Sequence, residues 1–297
     1  MSDGEGSGGL ISHAEWERPS VRWGIGSLQA LLLVGLVVFG LGPILWLTKS
    51  AITPTLDTIT HPMGLFPHGT AWSNLKEAWT TVHVGRYFWN TVVLAFGSWA
   101  SQLVVAATGG FALSVLRPKY ATLINGLLLT TLFVPAVVLL VPLYIEIVHP
   151  PLVHHSFIDS YWAVWLPAGA SAFNVVLVKR FFDNLPREIF EAARIDGAGP
   201  FRLFWSIVLP MSKPILGVVS IFAVLASWKD FLWPLLVEAG YNPTRETLNV
   251  GIWQAAQAAP QNEIIAASAM AAVPTLIFFL IFQRNIMSGL TSGGLKG

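Results

Sequence analysis

The chain has 297 residues, 54% of them hydrophobic and only 11% charged, against about 25% charged in soluble domains. That leaves too little polar surface for a soluble globule, and the same composition excludes an intrinsically disordered chain. The formal net charge is +1, from 17 basic and 16 acidic residues, and there is no cysteine. Polyanion binding therefore has no electrostatic signature, and disulfides, iron–sulfur clusters and thiolate-bound zinc are excluded.

A bilayer core needs about 20 apolar residues in helical form, and six nearly charge-free runs meet that need. They are Trp23 to Thr48, Tyr87 to Leu116, Ala121 to Ile145, Ser160 to Val178, Pro214 to Val237 and Ile264 to Gln283. Each is too long for a strand. The sequence predicts an all-α membrane protein of six transmembrane helices. The first run reads as an uncleaved anchor, because acidic residues precede it and no A-x-A site follows. Residues 1–22 read as a mobile tail, 23–48 as the first transmembrane helix, 49–86 as a loop, 87–284 as a five-helix core and 285–297 as a second tail. Pro135 and Pro142 are expected to kink the third helix.

Lys and Arg set the orientation. With a cytoplasmic N-terminus, the inner segments hold Arg18, Arg22, Arg117, Lys119, Lys179, Arg180, Arg187, Arg194, Arg202, Lys213, Arg284 and Lys296, which is 12 of the 17 basic residues. Both termini and the 179–213 loop are then cytoplasmic, and residues 49–86 and 238–262 lie outside. Trp23, Trp46, Tyr87, Trp89, Tyr161 and Trp162 sit at run ends, as interfacial aromatics do.

The inner loop from Lys179 to Lys213 is longer than a connection requires and has helical punctuation of its own. Asn184 reads as a cap, Pro186 and Glu188 suit a first turn, and Gly197 suits a left-handed helix stop. Ile189, Ala192 and Ala193 form a small apolar stripe, flanked by Glu191 and Arg194. Gly199-Pro200 then starts a second helix to Pro210, with Phe201, Phe204 and Trp205 on one side. The stripe of small residues suits close approach to another backbone. The other reading is a helix lying on lipid headgroups, which a bulkier face would suit better.

Glu191-Ala192-Ala193, Gly197, Ile207, Leu209 and Pro210 fit the pattern E-A-A-x3-G-x9-I-x-L-P. This resembles the EAA loop of binding-protein-dependent ABC importer permeases. Asn90-Thr91, Phe111–Arg117, Val134–Tyr144, Ser227–Pro234, Phe282–Arg284 and Gly289–Gly297 extend the resemblance to the MalG-type permeases of carbohydrate importers, over roughly residues 25–297. The resemblance implies a type I ABC importer (MetI-like) bundle whose coupling helix, with Glu191, Ala192, Ala193, Arg194, Asp196, Gly197, Ile207, Leu209 and Pro210, docks on a cytoplasmic ATPase. It implies as partners a second homologous permease, an ATP-binding subunit dimer, an extracytoplasmic solute-binding protein and a carbohydrate substrate, with no cofactor and no nucleic acid. One position departs from the family, where Asn usually precedes the acidic residue of helix five: here Lys229 precedes Asp230.

Lys229 and Asp230 interrupt a membrane span, and adjacent helical residues point about 100° apart. Either they line a path, as intramembrane ionisable groups often do, or Lys229 snorkels outward and Asp230 pairs with another helix. Asn174 and Ser171 fall in helix four and read first as helix-packing groups. Glu146 is expected at the outer interface. None of the seven histidines has a recognised metal-ligand spacing. There is no P-loop, no G-x-S-x-G elbow and no oriented carboxylate pair, so the chain is not expected to be an enzyme. The alternatives are a permease for another solute, such as glycerol phosphate, and an ion-coupled secondary transporter. The latter predicts inverted repeats and paired intramembrane carboxylates, which are not visible.

Overall fold

The computed structural model describes residues 19–294, with side chains over 23–283. The expected tail thus falls outside the described residues up to residue 18. No strand occurs among the described residues. The chain enters through α1 (Pro19–Ala51) and passes two short helices, α2 (Thr55–Thr60) and α3 (Ser73–Thr80). It then runs through α4 (Val84–Phe111), which continues as a π-helical turn over Ala112–Leu116.

The third run is not one kinked helix. It consists of α5 (Ala121–Thr131), a 3-10 turn at Ala136–Leu139 and α6 (Leu140–Val148), with α5 and the 136–148 unit bent by 104°. Pro135 marks this break, with an extended ψ of 129°. Pro142 sits in the first turn of α6, where a missing N–H costs nothing, and so produces no kink. The fourth run is also a pair: α7 (Trp162–Gly169) and α8 (Ala172–Asp183) meet at 42°. Ser171 caps α8 by accepting the Asn174 backbone N–H at 3.3 Å.

After α8 come α9 (Arg187–Ile195) and the helical unit α10 (Pro200–Met211), which contains a π turn at Phe204–Val208. A 76° bend separates α10 from α11 (Lys213–Lys229). Then follow α12 (Leu232–Val237), α13 (Leu248–Ala255) and α14 (Gln261–Gly294). The fifth run is therefore split at Asp230-Phe231. Residues 285–294, expected as a tail, continue α14, while 295–297 lie outside the described residues. Among the described residues three helices are long and apolar enough to cross a membrane, and up to six spans result if each bent pair counts as one.

Helix α4 is the hub, packed by α7, α8 and α11, while α1 lies against α14. Apolar burial gives little drive between helices in lipid, so close packing by small residues must do it. Ala95, Ala106 and Ala107 of α4 are buried accordingly. Gly97 is the tightest approach: a Cβ there would stand 2.0 Å from the Trp165 indole. That ring donates from Nε1 to the Leu94 carbonyl at 3.1 Å, which fixes it over the glycine.

A core cluster closes the end of the bundle that carries α9 and α10. It joins Ala106, Phe111 and Val115 of the α4 unit to Phe182, Phe190, Ala193, Leu203, Val208 and Val219. The opposite end is closed by Ala51, Ala78, Val84, Leu248 and Ala266, and by Leu94, Ile147, Ala163, Trp233 and Val237. Most of α1 is bare: Leu31, Leu36 and Phe39 are exposed over most of their surface. Such an apolar helix belongs in lipid or against another membrane chain.

Candidate functional site

Helix α9 stands where the sequence expects it, with corrections to its edges and faces. Asn184 does not cap it: α8 runs on to Asp183, and Asn184 ends that helix by donating from Nδ2 to the Arg180 carbonyl at 2.9 Å. Pro186 is the N-cap, with no side-chain bond, and Glu188 lies in the first turn. The C-terminus closes as a Schellman motif. The Gly197 N–H donates to the Arg194 carbonyl at 3.0 Å and the Ala198 N–H to the Ala193 carbonyl at 2.9 Å. Gly197 has φ +76°, a region that a side chain strains. Gly199 and Pro200 then open α10 as N-cap and first residue.

The small-residue stripe does not point one way. Ala193 is buried with Phe190 in the chain's own core, while Ala192 is exposed and Ile195 is 86% exposed. Nor do the α10 aromatics share surroundings: Phe204 is buried against Phe111 at 5.0 Å, whereas Phe201 and Trp205 are exposed. Ile207, Leu209 and Ala198 pack on the core from its edge. One face of this knob is thus anchored, and the other presents Ala192, Ile195 and Phe201 beside the exposed charges Glu191, Arg194 and Asp196. Among the described residues neither Glu191 nor Arg194 enters an ion pair.

A polar clasp ties the base of the knob to the bundle. Asp183 accepts from Ser114 Oγ at 2.7 Å and from Lys179 Nζ at 2.7 Å, and Arg117 Nη2 lies 3.6 Å from it. Arg117 has φ 47° and donates from Nε to the Ser114 carbonyl. The cleft between this clasp and α9, about 190 Å³, is lined by Arg117, Asp183, Arg187, Glu191 and Arg194.

The second region surrounds the split between α11 and α12. Lys229 is the last residue of α11, and Asp230 has φ −64° and ψ 134°, which is extended. The helix stops between them, so both line one cavity of about 780 Å³ with Ser98, Gln102, Glu146 and Trp233. The 100° separation expected of helical neighbours does not apply. Glu146 also lines this cavity. Lys229 also lines a second hollow of about 440 Å³ with Trp228, Phe231, Asn249 and Ser268.

The split leaves carbonyls without helical partners, a cost that lipid would not forgive. Asn249 of α13 meets it by donating from Nδ2 to the carbonyls of Trp228 at 3.1 Å and Asp230 at 3.3 Å. Nothing in the spacing of Asn249 flags this role. Asn174 does not reach the cavity. Its Nδ2 donates to Gln102 Oε1 at 2.8 Å, so it packs α8 on α4 and orients a cavity-lining amide.

At the opposite end from α9, the segment 238–247 is strapped to α4. Asn90 Nδ2 donates to the carbonyls of Thr244 at 2.8 Å and Glu246 at 2.9 Å, and the Leu248 N–H donates to Thr91 Oγ1 at 2.8 Å. The Asn90-Thr91 pair thus holds the strap to α4. Glu238 and Glu246 of this strap are buried, and among the described residues the Glu238 carboxylate has no hydrogen bond. Burial first, and then the charge of Asp159, push the Glu238 carboxyl up to about 8.

Residues 104–286 match the family described as the binding-protein-dependent transport system inner membrane component. The chain belongs to this family. The permease is 32% identical to the sulfoquinovosyl glycerol transport system permease protein SmoH of Agrobacterium fabrum, covering 88% of this chain and 91% of that one. It is 29% identical to the sn-glycerol-3-phosphate transport system permease protein UgpE of Yersinia pestis, over 88% and 93% of the two chains. Its fold matches a chain of a bacterial ABC transporter that imports the acidic polysaccharide alginate, with TM-score 0.79 and 18% identity over 90% of this chain and 98% of that one. The permease is thus a multi-pass component of an inner membrane, with the all-α importer fold that the sequence predicts.

Proposed function

We propose that this permease forms one half of the translocation path of an ATP-driven sugar importer, and that α9 couples the path to a cytoplasmic ATPase. The observation that carries the reading is α9 itself. A short helix is locked by a glycine turn and anchored through Phe190 and Ala193, yet offers Ala192, Ile195 and exposed charges outward. Exposed apolar and charged groups on a rigid knob suit a protein cleft. The basic residues support placing that end in the cytoplasm, because Arg117, Lys119, Lys179, Arg180, Arg187, Arg194, Arg202 and Lys213 all sit on or beside the connections around it.

In this reading a second, similar permease completes the path, and a solute-binding protein docks on the loops 50–86 and 238–262. ATP binding closes the ATPase dimer and turns the permease pair outward to receive sugar, and hydrolysis resets it. The cavity at the split is the part of this chain that faces the cargo. Asp230, Glu146, Ser98 and Gln102 offer hydrogen-bond acceptors and donors to hydroxyls, Trp233 adds an aromatic wall, and Lys229 suits an acidic group. SmoH, whose named cargo is a glycoside, supports the sugar reading.

The coupling role is tested by Gly197→Pro and Glu191→Lys. Proline cannot adopt φ +76°, so the first variant unlocks the turn. The second reverses a charge on the outer face. Both are expected to insert normally in membranes but to lose at least tenfold in uptake and in substrate-stimulated ATP hydrolysis. Wild-type values for both would overturn the coupling assignment.

A further inference from the structure

The connection between α1 and α3 brings three ligating side chains together without any recognised motif. Asp57 and His61 are four residues apart on and just after α2, so they share a face. The chain then reverses, with the Gly64 N–H donating to the His61 carbonyl at 3.0 Å, and Gly69, at φ +126°, follows His68. His68 comes back over the same face. His61 Nδ1 lies 3.3 Å and His68 Nδ1 2.9 Å from Asp57 Oδ1, and all three ligand atoms fall within 4.8 Å of one another. The two imidazole rings are 5.1 Å apart.

We propose that Asp57, His61 and His68 form a binding site for a divalent transition metal of the zinc class. Ligands about 2.0–2.1 Å from a tetrahedral zinc stand roughly 3.3 Å from each other, which is the spacing that His61 and Asp57 already have. Two imidazoles with one carboxylate select zinc-like ions over calcium or magnesium, which prefer all-oxygen sets. The shell behind the ligands is built as well. The His68 backbone N–H holds Asp57 Oδ2 at 2.9 Å, which leaves Oδ1 turned toward the rings. Trp46 Nε1 donates to the Pro62 carbonyl at 2.7 Å and Lys49 Nζ to the Gly64 carbonyl at 2.9 Å, so α1 pins the loop between the two histidines. Both histidines are exposed and Asp57 is nearly covered, a geometry that keeps a fourth position open to water. The ion would clamp α2 to the 61–69 turn.

The test is zinc binding by the full chain purified in detergent, measured by equilibrium dialysis, with cobalt as a spectroscopic stand-in. One saturable zinc per chain is expected at micromolar concentration, with a tetrahedral cobalt absorption. His61→Ala and His68→Ala are each expected to weaken it at least tenfold. His68→Cys is expected to retain zinc and to add thiolate-to-cobalt charge transfer, which a misfolded loop would not show. The triple change of His149, His154 and His155 to Ala is expected to leave binding intact. No saturable zinc, or binding unaffected by His61→Ala and His68→Ala, would show a hydrogen-bonded loop only and would overturn the site.

Discussion

Single residues carry much of the strain and charge in this permease. Glu238 is 1% exposed, with Asp159, Arg245, Asp230 and Glu246 as the charges around it. Its carboxyl is raised from 4.5 to about 8, so the folded state holds a proton that the unfolded chain has released. Stability from this group is therefore full below about pH 4.5 and declines as pH rises through about 8. Glu238→Gln is expected to flatten that decline. Thermal unfolding in detergent should show the variant more stable than the parent at about pH 9 and nearly equal to it at about pH 5. A parallel shift at both values would refute the assignment. Gly197 shows how much one residue can disclose in advance. Its left-handed φ and the Gly199-Pro200 start were legible because glycine and proline have so few roles. The opposite environments of Ala192 and Ala193 were not, since a stripe of alanines does not say which side faces its own core.

At the scale of elements, the hydrophobic runs locate the spans, and of their breaks only the one at Pro135 is signalled, as a kink. The third, fourth and fifth runs are each divided in the fold. An apolar run has the same composition whether or not its helix is continuous, and the bonds that satisfy a break can come from another element. Asn249 is the clearest case, because its two bonds reach back to Trp228 and Asp230. Asn249→Ala is expected to destabilise the permease by about 1 kcal/mol, the net worth of a hydrogen bond lost from partly buried carbonyls. A drop in the unfolding midpoint measures this, and unchanged stability would mean that water serves the split equally well. The pairing of Lys229 with Asp230 in one cavity was hidden for the same reason, since the helical angle between neighbours holds only while the helix continues. Asp57, His61 and His68 show a different gap. The i,i+4 pair is visible in sequence, but the return of His68 depends on a turn that no spacing rule describes.

For the molecule as a whole, six spans, the knob and its flanking charges could all be read from composition and period. The hub role of α4 and the strap from Asn90 to the 238–247 segment could not, because they rest on long-range contacts, such as the 71 residues from Leu94 to Trp165 and the 154 from Asn90 to Thr244. The exposed apolar length of α1 and the exposed stretch between α5 and α6, with Phe133 and Val137 bare, leave room for a second membrane chain. A tagged permease is therefore expected to bring down a second permease and a P-loop ATPase from gently solubilised membranes. Recovery of the chain alone, under conditions that preserve other membrane complexes, would count against the assembly.

The core cluster that holds α9 has Val219 of α11 as a member. Helix α11 has 17 residues and so is about 25 Å long, with the knob at its foot and Lys229 at its tip. A tilt of about 10° at the foot carries the tip sideways by about 4 Å, comparable with the width of a hydroxyl-bearing ring carbon and its hydration. In the proposed coupling, a displacement of the knob would swing this helix as a pointer whose far end, at Lys229, borders the cavity. Because Asp230-Phe231 interrupts the helix just beyond that tip, α11 and α12 need not move as one rigid rod.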